Sequence, residues 1–231
     1  MPFLAIATDY DDTLATNGQA DEDALVALRL WRSRGRRLLL VTGRERESLR
    51  IIFPELDLFD LVVAENGAVL YTPSTGEERT LSVPPPPEFL AMLRQKEVHP
   101  LSVGKSVVAT RISQEATVQR IIRDLRLSWT TIRNRDSVMA LPAGVDKGSG
   151  FSAALAELGI KPEFVMGLGD AENDHAFLRR CGFSVAVANA VPGLREEADL
   201  VTEGARGAGV VEAVHHVLSS AFRPNTEKVR V

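Results

Sequence analysis

Short apolar runs alternate with helical patterns through most of the chain. Residues 3–7, 38–41 and 61–64 are such runs, and polar residues end each of them. Continuous apolar runs of this length are typical of strands that are buried on both faces of a sheet. Between the first two runs, residues 21–34 carry apolar side chains at the spacing of one helical face. This alternation predicts an α/β fold with a doubly wound parallel sheet in three layers.

The pattern changes at four successive prolines, residues 84–87, which cannot continue a strand or a helix interior. The following segment predicts a helix, two strands, a second helix and two more strands, at residues 88–96, 99–103, 106–112, 114–125, 128–133 and 137–141. Residues 142–144, Pro-Ala-Gly, then mark a return to the first pattern. We therefore expect a core of residues 1–83 and 143–231, with a small α+β domain of residues 84–142 inserted into it.

Turn residues fill the stretch before this insertion. Residues 65–68 are Glu-Asn-Gly-Ala, and Asn-Gly predicts a two-residue hairpin turn. A second turn at residues 73–76 predicts a strand at residues 80–83. Further strands and helices are expected at residues 183–187, 193–198, 199–202 and 210–218. The polar, proline-containing residues 223–231 are expected to fray.

Composition disfavours several classes of function. The chain has 231 residues, 45% of them hydrophobic, and a net charge of −4, which gives no sign of a nucleic-acid surface. Its single cysteine, Cys181, excludes an intramolecular disulfide and a cysteine-rich zinc site. The first predicted strand begins at residue 3, so we expect no signal peptide. No apolar run approaches membrane-spanning length, so we expect no membrane span. We expect a cytoplasmic monomer or homodimer.

Two carboxylates follow the first apolar run, where the predicted strand ends. Asp9 and Asp11 lie two positions apart, and such side chains project from the same face of a strand. Both then reach one small volume at the carboxyl end of the strand, where open α/β sheets bind their ligands. Because neighbouring carboxylates repel unless a cation or a shared proton lies between them, the pair indicates metal-assisted chemistry. The alternative is a solvated, aspartate-rich turn.

Three further segments place polar side chains in a definite order along the chain. They are residues 37–44, 144–148 and 164–174. Their polar or turn residues are Thr42, Gly43 and Arg44 in the first, Lys147 in the second, and Asp170, Asn173 and Asp174 in the third. With residues 9–14, these segments resemble the four motifs of the haloacid dehalogenase (HAD) superfamily of phosphotransferases. The hairpin at residues 65–68 and the loop at Asn189 resemble its Cof-like branch, which carries a type IIB cap.

The resemblance implies a phosphoryl-transfer mechanism and assigns roles in it. Asp9 would be the nucleophile that forms an aspartyl-phosphate, and Asp11 would protonate the leaving oxygen and then activate water. Thr42 would hydrogen-bond a phosphoryl oxygen, and Lys147 would offset the negative charge gathered there. Their alternatives are a helix cap for Thr42 and a surface position for Lys147. Asp12 departs from the family pattern, because glycine is most frequent there.

The resemblance also implies Mg2+, which prefers oxygen ligands. The ligands would be Asp9, Asp170 and the backbone carbonyl of Asp11. Asp174 and Asn173 would help to position the metal. The alternative for Asp170 is a helix N-cap.

Hydrolysis of a small phosphate ester is the function that the resemblance implies, with phosphoglycolate, a sugar phosphate or a phosphorylated sugar acid as the substrate. Candidate substrate contacts are Lys105, Arg111, Arg133 and Arg135 in the cap, and Gly43, Arg44, Asn173 and Asn189 in the core. The alternative for each cap residue is an exposed charge, and for Asn189 a turn residue. A phosphomutase, a non-catalytic protein that binds phosphorylated metabolites and a receiver-type signalling domain stay open as rivals.

Overall fold

Strands and helices alternate along the chain in the computed structural model, which describes residues 3–219. The strands are β1 (Ala5–Thr8), β2 (Ala15–Thr16), β3 (Gln19–Ala20), β4 (Arg37–Val41), β5 (Leu61–Ala64), β6 (Val69–Thr72), β7 (Glu77–Thr80), β8 (Ser102–Val103), β9 (Val108–Arg111), β10 (Trp129–Asn134), β11 (Ser137–Pro142), β12 (Val165–Gly169), β13 (Phe183–Ala186) and β14 (Leu200–Val201). The helices are α1 (Glu22–Ser33), α2 (Arg46–Ile52), α3 (Pro87–Gln95), α4 (Glu115–Asp124), α5 (Lys147–Leu158), α6 (His175–Leu178), α7 (Pro192–Glu197) and α8 (Gly207–Leu218). In this described part, none of the helices combines the length and the apolar character that crossing a membrane requires. The predicted fraying of residues 223–231 lies outside the described residues.

The main sheet has eight strands in the order β14-β13-β12-β1-β4-β5-β6-β7. The strands from β14 to β5 are parallel, whereas β6, near one edge, pairs antiparallel with both β5 and β7. β1 lies in the middle, with β12 on one side and β4 on the other. This arrangement is the doubly wound, mostly parallel sheet that the sequence predicts.

Helices cover both faces of this sheet because side chains alternate along each buried strand. Ile6 of β1 belongs to an apolar cluster with Leu28 of α1 and Val214 of α8. Its neighbour Ala7 belongs to a second cluster, which includes Phe151 of α5. The two clusters confirm the predicted three layers.

The connection between β5 and β6 differs from the predicted two-residue turn. Four residues, 65–68, join the two strands, and Glu65–Gly67 form a short 3-10 turn. Glu65 and Asn66 both have left-handed backbones, with φ of 49° and 52°. Gly67 lies so close to α5 that a Cβ atom would stand 1.9 Å from the Asp146 carbonyl oxygen. The loop of residues 65–68 packs against the start of α5. This contact favours a connection of four residues over the predicted two-residue turn.

The strand predicted at residues 80–83 begins earlier in the structure. Gly76 N donates to the Thr72 carbonyl oxygen at 2.9 Å, which closes the turn. Thr72 then pairs with Glu77, so β7 occupies Glu77–Thr80. The turn sets the register between β6 and β7, and the two strands pair from the first residue after the turn.

A second, antiparallel sheet has the order β10-β11-β9-β8. With α3 and α4 it shares its own apolar cluster, which includes Phe89, Leu93, Val118 and Ile121. The order of helix, two strands, helix and two strands is as predicted. All these elements fall within residues 84–142, here called the insert; the domain boundary itself stays a prediction.

Candidate active site

Three neighbouring strands of the main sheet end in predicted motif residues. Asp9 follows β1, Thr42 follows β4 and Asp170 follows β12. Because β1 lies between the other two strands and is parallel to both, the three residues meet at its carboxyl edge. All three are buried. This is the edge at which open α/β sheets bind ligands.

Lys147 joins this group from the first turn of α5, and it is fully buried. Its Nζ donates to Asp9 Oδ1 and to Asp174 Oδ1, at 2.6 Å each. Asp146 caps the helix by accepting a hydrogen bond from Ser149 N at 2.7 Å. The cap fixes the turn that carries Lys147 and thereby directs its ammonium group between the two carboxylates.

Three buried carboxylates form a cluster around this lysine. Oxygen atoms of Asp9, Asp170 and Asp174 all lie within 4.8 Å of one another. Asp174 Oδ2 accepts the N–H groups of Asp170 at 2.8 Å and of Ala171 at 3.0 Å. Thr13 Oγ1 donates to Asp170 Oδ1 at 2.9 Å. Neighbouring donors thus hold all three carboxylates in place.

The charge of the cluster is unbalanced. Burial raises the pKa of Asp9 well above its usual value, and Asp174 and Asp170 add to the rise against the opposing effect of Lys147. Burial, followed by Asp174, raises the pKa of Asp170 against the opposing effect of its contacts with Arg135 and Thr13. Burial alone would lower the pKa of Lys147, but the carboxylates of Asp174 and Asp9 together raise it. A divalent cation would relieve this excess of negative charge, and an all-oxygen donor set suits a hard metal.

Asp11 is the fourth residue predicted at the metal, and its carboxylate binds Arg44. Arg44 donates from Nε to Oδ2 and from Nη2 to Oδ1, both at 2.7 Å. This hydrogen-bonded ion pair raises the pKa of the Arg44 guanidinium. Arg44 N also donates to Thr42 Oγ1 at 3.1 Å, which ties the pair to the end of β4. The sequence predicted both residues but not their contact.

Asp12 and Asn189 join two loops beside the cluster. Asp12 has φ of 59°, a left-handed backbone that explains why glycine suits this position. Its carboxylate accepts from Arg206 Nε at 2.8 Å. Asn189 Nδ2 donates to the Asp12 carbonyl oxygen, and Asn189 Oδ1 accepts from Arg206 N, at 2.8 Å each. The Asn189 side chain therefore connects backbone segments.

One of the four basic residues predicted in the insert reaches the cluster of Asp9, Asp170 and Asp174. Arg135, in the turn between β10 and β11, donates from both Nε, at 3.0 Å, and Nη2 to Asp170 Oδ2. Its Nη2 also donates to the Asn189 carbonyl oxygen at 3.1 Å. The other three lie elsewhere: Lys105 beside Glu78 of β7, Arg133 beside Glu115 of α4, and Arg111 exposed on β9.

A cavity of about 350 Å³ separates the core from the insert at this edge. Its floor consists of core residues Asp9, Asp11, Gly43, Arg44, Glu45 and Ser48. Its roof consists of insert residues Ser102, Val107, Ala109, Asn134, Ser137 and Met139. The nucleophile candidate and its neighbours thus face a space in which a small ester fits.

Sequence reasoning missed the whole roof and part of the floor. Small neutral side chains such as Ser102 and Asn134 have no chemical signature in a sequence. One signal was available, because Ser137 and Met139 lie two positions apart on a strand and so share a face. Ala109, paired directly with Met139, belongs to the same wall.

Asn173 is linked to the roof through Asn66, a residue that the sequence predicts only as part of a turn. Asn173 Nδ2 donates to Asn66 Oδ1 at 2.9 Å, and Asn66 Nδ2 donates to Met139 Sδ at 2.7 Å. A Cβ atom on Gly43 would stand 3.2 Å from Met139 Cε. The chain of contacts joins the β12 loop to the roof, and Gly43 leaves little space for a side chain below Met139.

Comparisons with known proteins agree with this geometry. The family model of haloacid dehalogenase-like hydrolases matches residues 6–105 and 99–214. A phosphoglycolate phosphatase from Methanothermobacter thermautotrophicus is 33% identical over 222 residues, covering 93% of this chain and 98% of the relative. A phosphoglycolate phosphatase from Archaeoglobus fulgidus is 32% identical over 220 residues, covering 91% and 95%.

Solved structures share the fold. A haloacid dehalogenase-like hydrolase from Bacteroides thetaiotaomicron has a TM-score of 0.81 at 19% identity, covering 93% of this chain and 99% of that one. The sucrose-phosphatase from Synechocystis has a TM-score of 0.73 at 19% identity, covering 95% and 100%.

The chain belongs to the haloacid dehalogenase-like hydrolase family. Within it, the chain is a phosphatase. It shares its fold with a subclass IIB sugar phosphatase, with a TM-score of 0.74 at 19% identity, covering 90% of this chain and 95% of that one. Phosphatases of this family generally use a divalent metal, and the cluster of Asp9, Asp170 and Asp174 fits one.

Proposed function

We propose that the protein is a Mg2+-dependent phosphomonoesterase that works through an aspartyl-phosphate on Asp9. The observation that carries the proposal is the contact of Lys147 Nζ with Asp9 and Asp174 in a buried carboxylate cluster. The same Asp9 lines the cavity between the core and the insert. A carboxylate that is buried, oriented and open to a cavity meets the requirements of a covalent nucleophile.

In the first step an Asp9 oxygen attacks phosphorus, and the bond from phosphorus to the ester oxygen breaks. Asp11 gives its proton to that leaving oxygen. Arg44 donates to both oxygens of the Asp11 carboxylate at the cavity, so one of these two hydrogen bonds opens when that oxygen carries the proton. Thr42 donates to a phosphoryl oxygen, and Lys147 offsets the charge that gathers around Asp9.

In the second step water attacks phosphorus of the aspartyl-phosphate. Asp11, now ionised, takes a proton from that water, and the bond between Asp9 and phosphorus breaks. Inorganic phosphate and the original carboxylate result. One residue therefore serves as the acid of the first step and the base of the second.

Asp9, Asp170 and Asp174 would hold the metal, together with the backbone carbonyl of Asp11. The bound metal would neutralise negative charge on the phosphoryl group. The oxygen-only donor set favours Mg2+ over softer metals.

We propose phosphoglycolate as the first substrate to test, with sugar phosphates and phosphorylated sugar acids next. Two phosphoglycolate phosphatases match nearly the whole chain, and the cavity of about 350 Å³ suits a small ester. The insert, residues 84–142, would act as the cap that selects the leaving group and closes over it. Location in the cytoplasm, a monomeric or homodimeric state and the absence of a nucleic-acid partner stay predictions.

A phosphate-release screen over these esters tests the proposal. We expect Mg2+-dependent release, loss of release in excess chelator, and a preference for one small anionic ester. Isomerisation of a sugar phosphate with little free phosphate would instead show a phosphomutase. Binding of the esters without any turnover would show a non-catalytic protein.

A further inference from the structure

Glu65 makes a contact between the core and the insert that the proposed reaction does not use. Its carboxylate is buried and accepts backbone hydrogen bonds from three successive residues of the insert. Lys105 N donates to Oε1 at 3.0 Å, Ser106 N to Oε2 at 2.9 Å, and Val107 N to Oε2 at 3.3 Å. Successive N–H groups around one carboxylate form the anion-binding arrangement called a nest.

The nest is shaped for this carboxylate. Gly104 N donates to the Val107 carbonyl oxygen at 2.9 Å, which closes the turn of residues 104–107. A Cβ atom on Gly104 would stand 2.6 Å from Glu65 Oε2, so any larger residue there would displace the carboxylate from its present position. Glu65 itself has φ of 49°, a conformation that costs energy in a residue other than glycine. Both partners are therefore adapted to the contact: Glu65 by its burial and its strained backbone, and the insert by its turn with Gly104.

The backbone of Glu65 is tied to the phosphate-binding end of β4. Glu65 N donates to the Arg44 carbonyl oxygen at 3.0 Å, and Asn66 N donates to the Thr42 carbonyl oxygen at 3.0 Å. Glu65 therefore contacts Arg44 with its backbone and the insert with its side chain, and its neighbour Asn66 contacts Thr42.

The turn of residues 104–107 lies between two strands that supply the cavity roof. Ser102 is in β8, just before the turn, and Val107 directly precedes β9. Both line the cavity. A displacement of the turn would therefore move the roof relative to Asp9.

We propose that Glu65 is a positioning residue for substrate selection: its carboxylate sets the distance between the roof and the floor of the cavity. This inference rests on the proposed function. A substrate that contacts both the floor and the roof needs that distance to be correct. p-Nitrophenyl phosphate, with its activated leaving group, depends mainly on the floor.

Glu65→Gln tests the proposal with nearly unchanged volume. The glutamine NH2 would face an N–H donor of the nest, so at least one hydrogen bond is lost. We expect kcat/KM for the preferred metabolite ester to fall by roughly tenfold or more, and that for p-nitrophenyl phosphate by less than about twofold. Hydrogen exchange should accelerate at the amides of residues 105–107.

Asp60→Asn is the matched control. Asp60 Oδ2 also accepts a backbone hydrogen bond, from Leu38 N at 2.9 Å, but at the opposite edge of the sheet. The control should lower Tm without changing the ratio of the two kcat/KM values. Gly104→Ala disturbs the same nest from the side of the insert and should reproduce the loss of selectivity. This variant tests the role of the nest if Glu65→Gln does not fold.

Two results would overturn the proposal. One is a folded Glu65→Gln protein with the selectivity of the wild type; the other is an equal loss on both substrates. Unchanged exchange at residues 105–107 would also refute the contact, whatever the enzyme does. A wild-type protein that is inactive on every ester contradicts the proposed function instead.

Discussion

The floor and the roof of the cavity differ in the kind of side chain they present. The floor carries Asp9, Asp11, Arg44 and Glu45, and two of its charges are joined by hydrogen bonds of 2.7 Å. The roof presents hydroxyl, amide, thioether and small apolar groups. Because every phosphate ester carries the same charged phosphate group, the charged floor suits that group. The neutral roof suits the leaving group, in which the substrates differ.

The basic residues of the insert sharpen this contrast. Arg133 pairs with Glu115 and is largely exposed, whereas Lys105 pairs with Glu78. Arg135 reaches Asp170. Neutral side chains, rather than a ring of cations, therefore form the roof above Asp9.

Asp9→Asn should have the largest effect, because it removes the nucleophile from the floor. We expect kcat to fall by roughly four orders of magnitude or more, with the fold retained. Phosphate release and circular dichroism provide the measurement. Asp23→Asn, on the exposed side of α1, is the control and should be fully active. Near-normal turnover of Asp9→Asn would refute the claim that the floor supplies the nucleophile.

Asp170→Asn should weaken the metal site. The Mg2+ concentration at half-maximal activity should rise by roughly tenfold to a hundredfold, because one charged oxygen donor is lost. The increase in Tm that Mg2+ produces in the wild type should shrink in parallel. Glu172→Gln changes a nearby exposed carboxylate and should leave both values unchanged. A wild-type protein that Mg2+ neither activates nor stabilises would contradict the metal site.

Asn134→Ala and Ser137→Ala test the roof. Each should lower kcat/KM for the preferred ester by roughly threefold to tenfold, the value of a single hydrogen bond. p-Nitrophenyl phosphate should be hydrolysed as before. Ser128→Ala removes an exposed hydroxyl elsewhere on the insert and should change neither substrate. Equal losses on both substrates would assign the roof a structural role only.

Arg111→Gln and Arg133→Gln should have the smallest effects. Arg111 is exposed and Arg133 belongs to an exposed ion pair, and such charges contribute little. We expect kcat/KM to change by less than about twofold for every ester at moderate salt. A tenfold loss that is selective for anionic leaving groups would show that insert cations take part in selection.

The carboxylate cluster, and Asp9, Asp11, Gly43 and Arg44 of the floor, could be predicted from the sequence because these residues follow the strands of the sheet. Asp9, Thr42 and Asp170 each follow an apolar strand, and the carboxyl ends of neighbouring parallel strands meet. The doubly wound sheet and the α+β order of the insert were predictable from the same periodicity. No comparable rule places Ser102 or Asn134, because their position depends on how two separate sheets dock.

That docking depends on contacts without a sequence signature. Residues 65–68 predicted a turn, and nothing in the sequence indicated that Glu65 would accept three backbone N–H groups across the interface. The pair of Asp11 and Arg44 likewise depends on the packing of two loops. The sequence supplied the reactive residues, whereas the tertiary contacts determine which neutral residues face them.

The burst kinetics of Asp11→Asn test the central claim most directly. p-Nitrophenolate leaves without a proton, so Asp9 should still be phosphorylated, but the second step lacks its base. The account predicts a burst of about one equivalent of p-nitrophenol per enzyme, with a phosphoryl group on the peptide that contains Asp9. Linear release without a burst and with no phosphorylated Asp9, or a phosphoryl group on another residue, would contradict it.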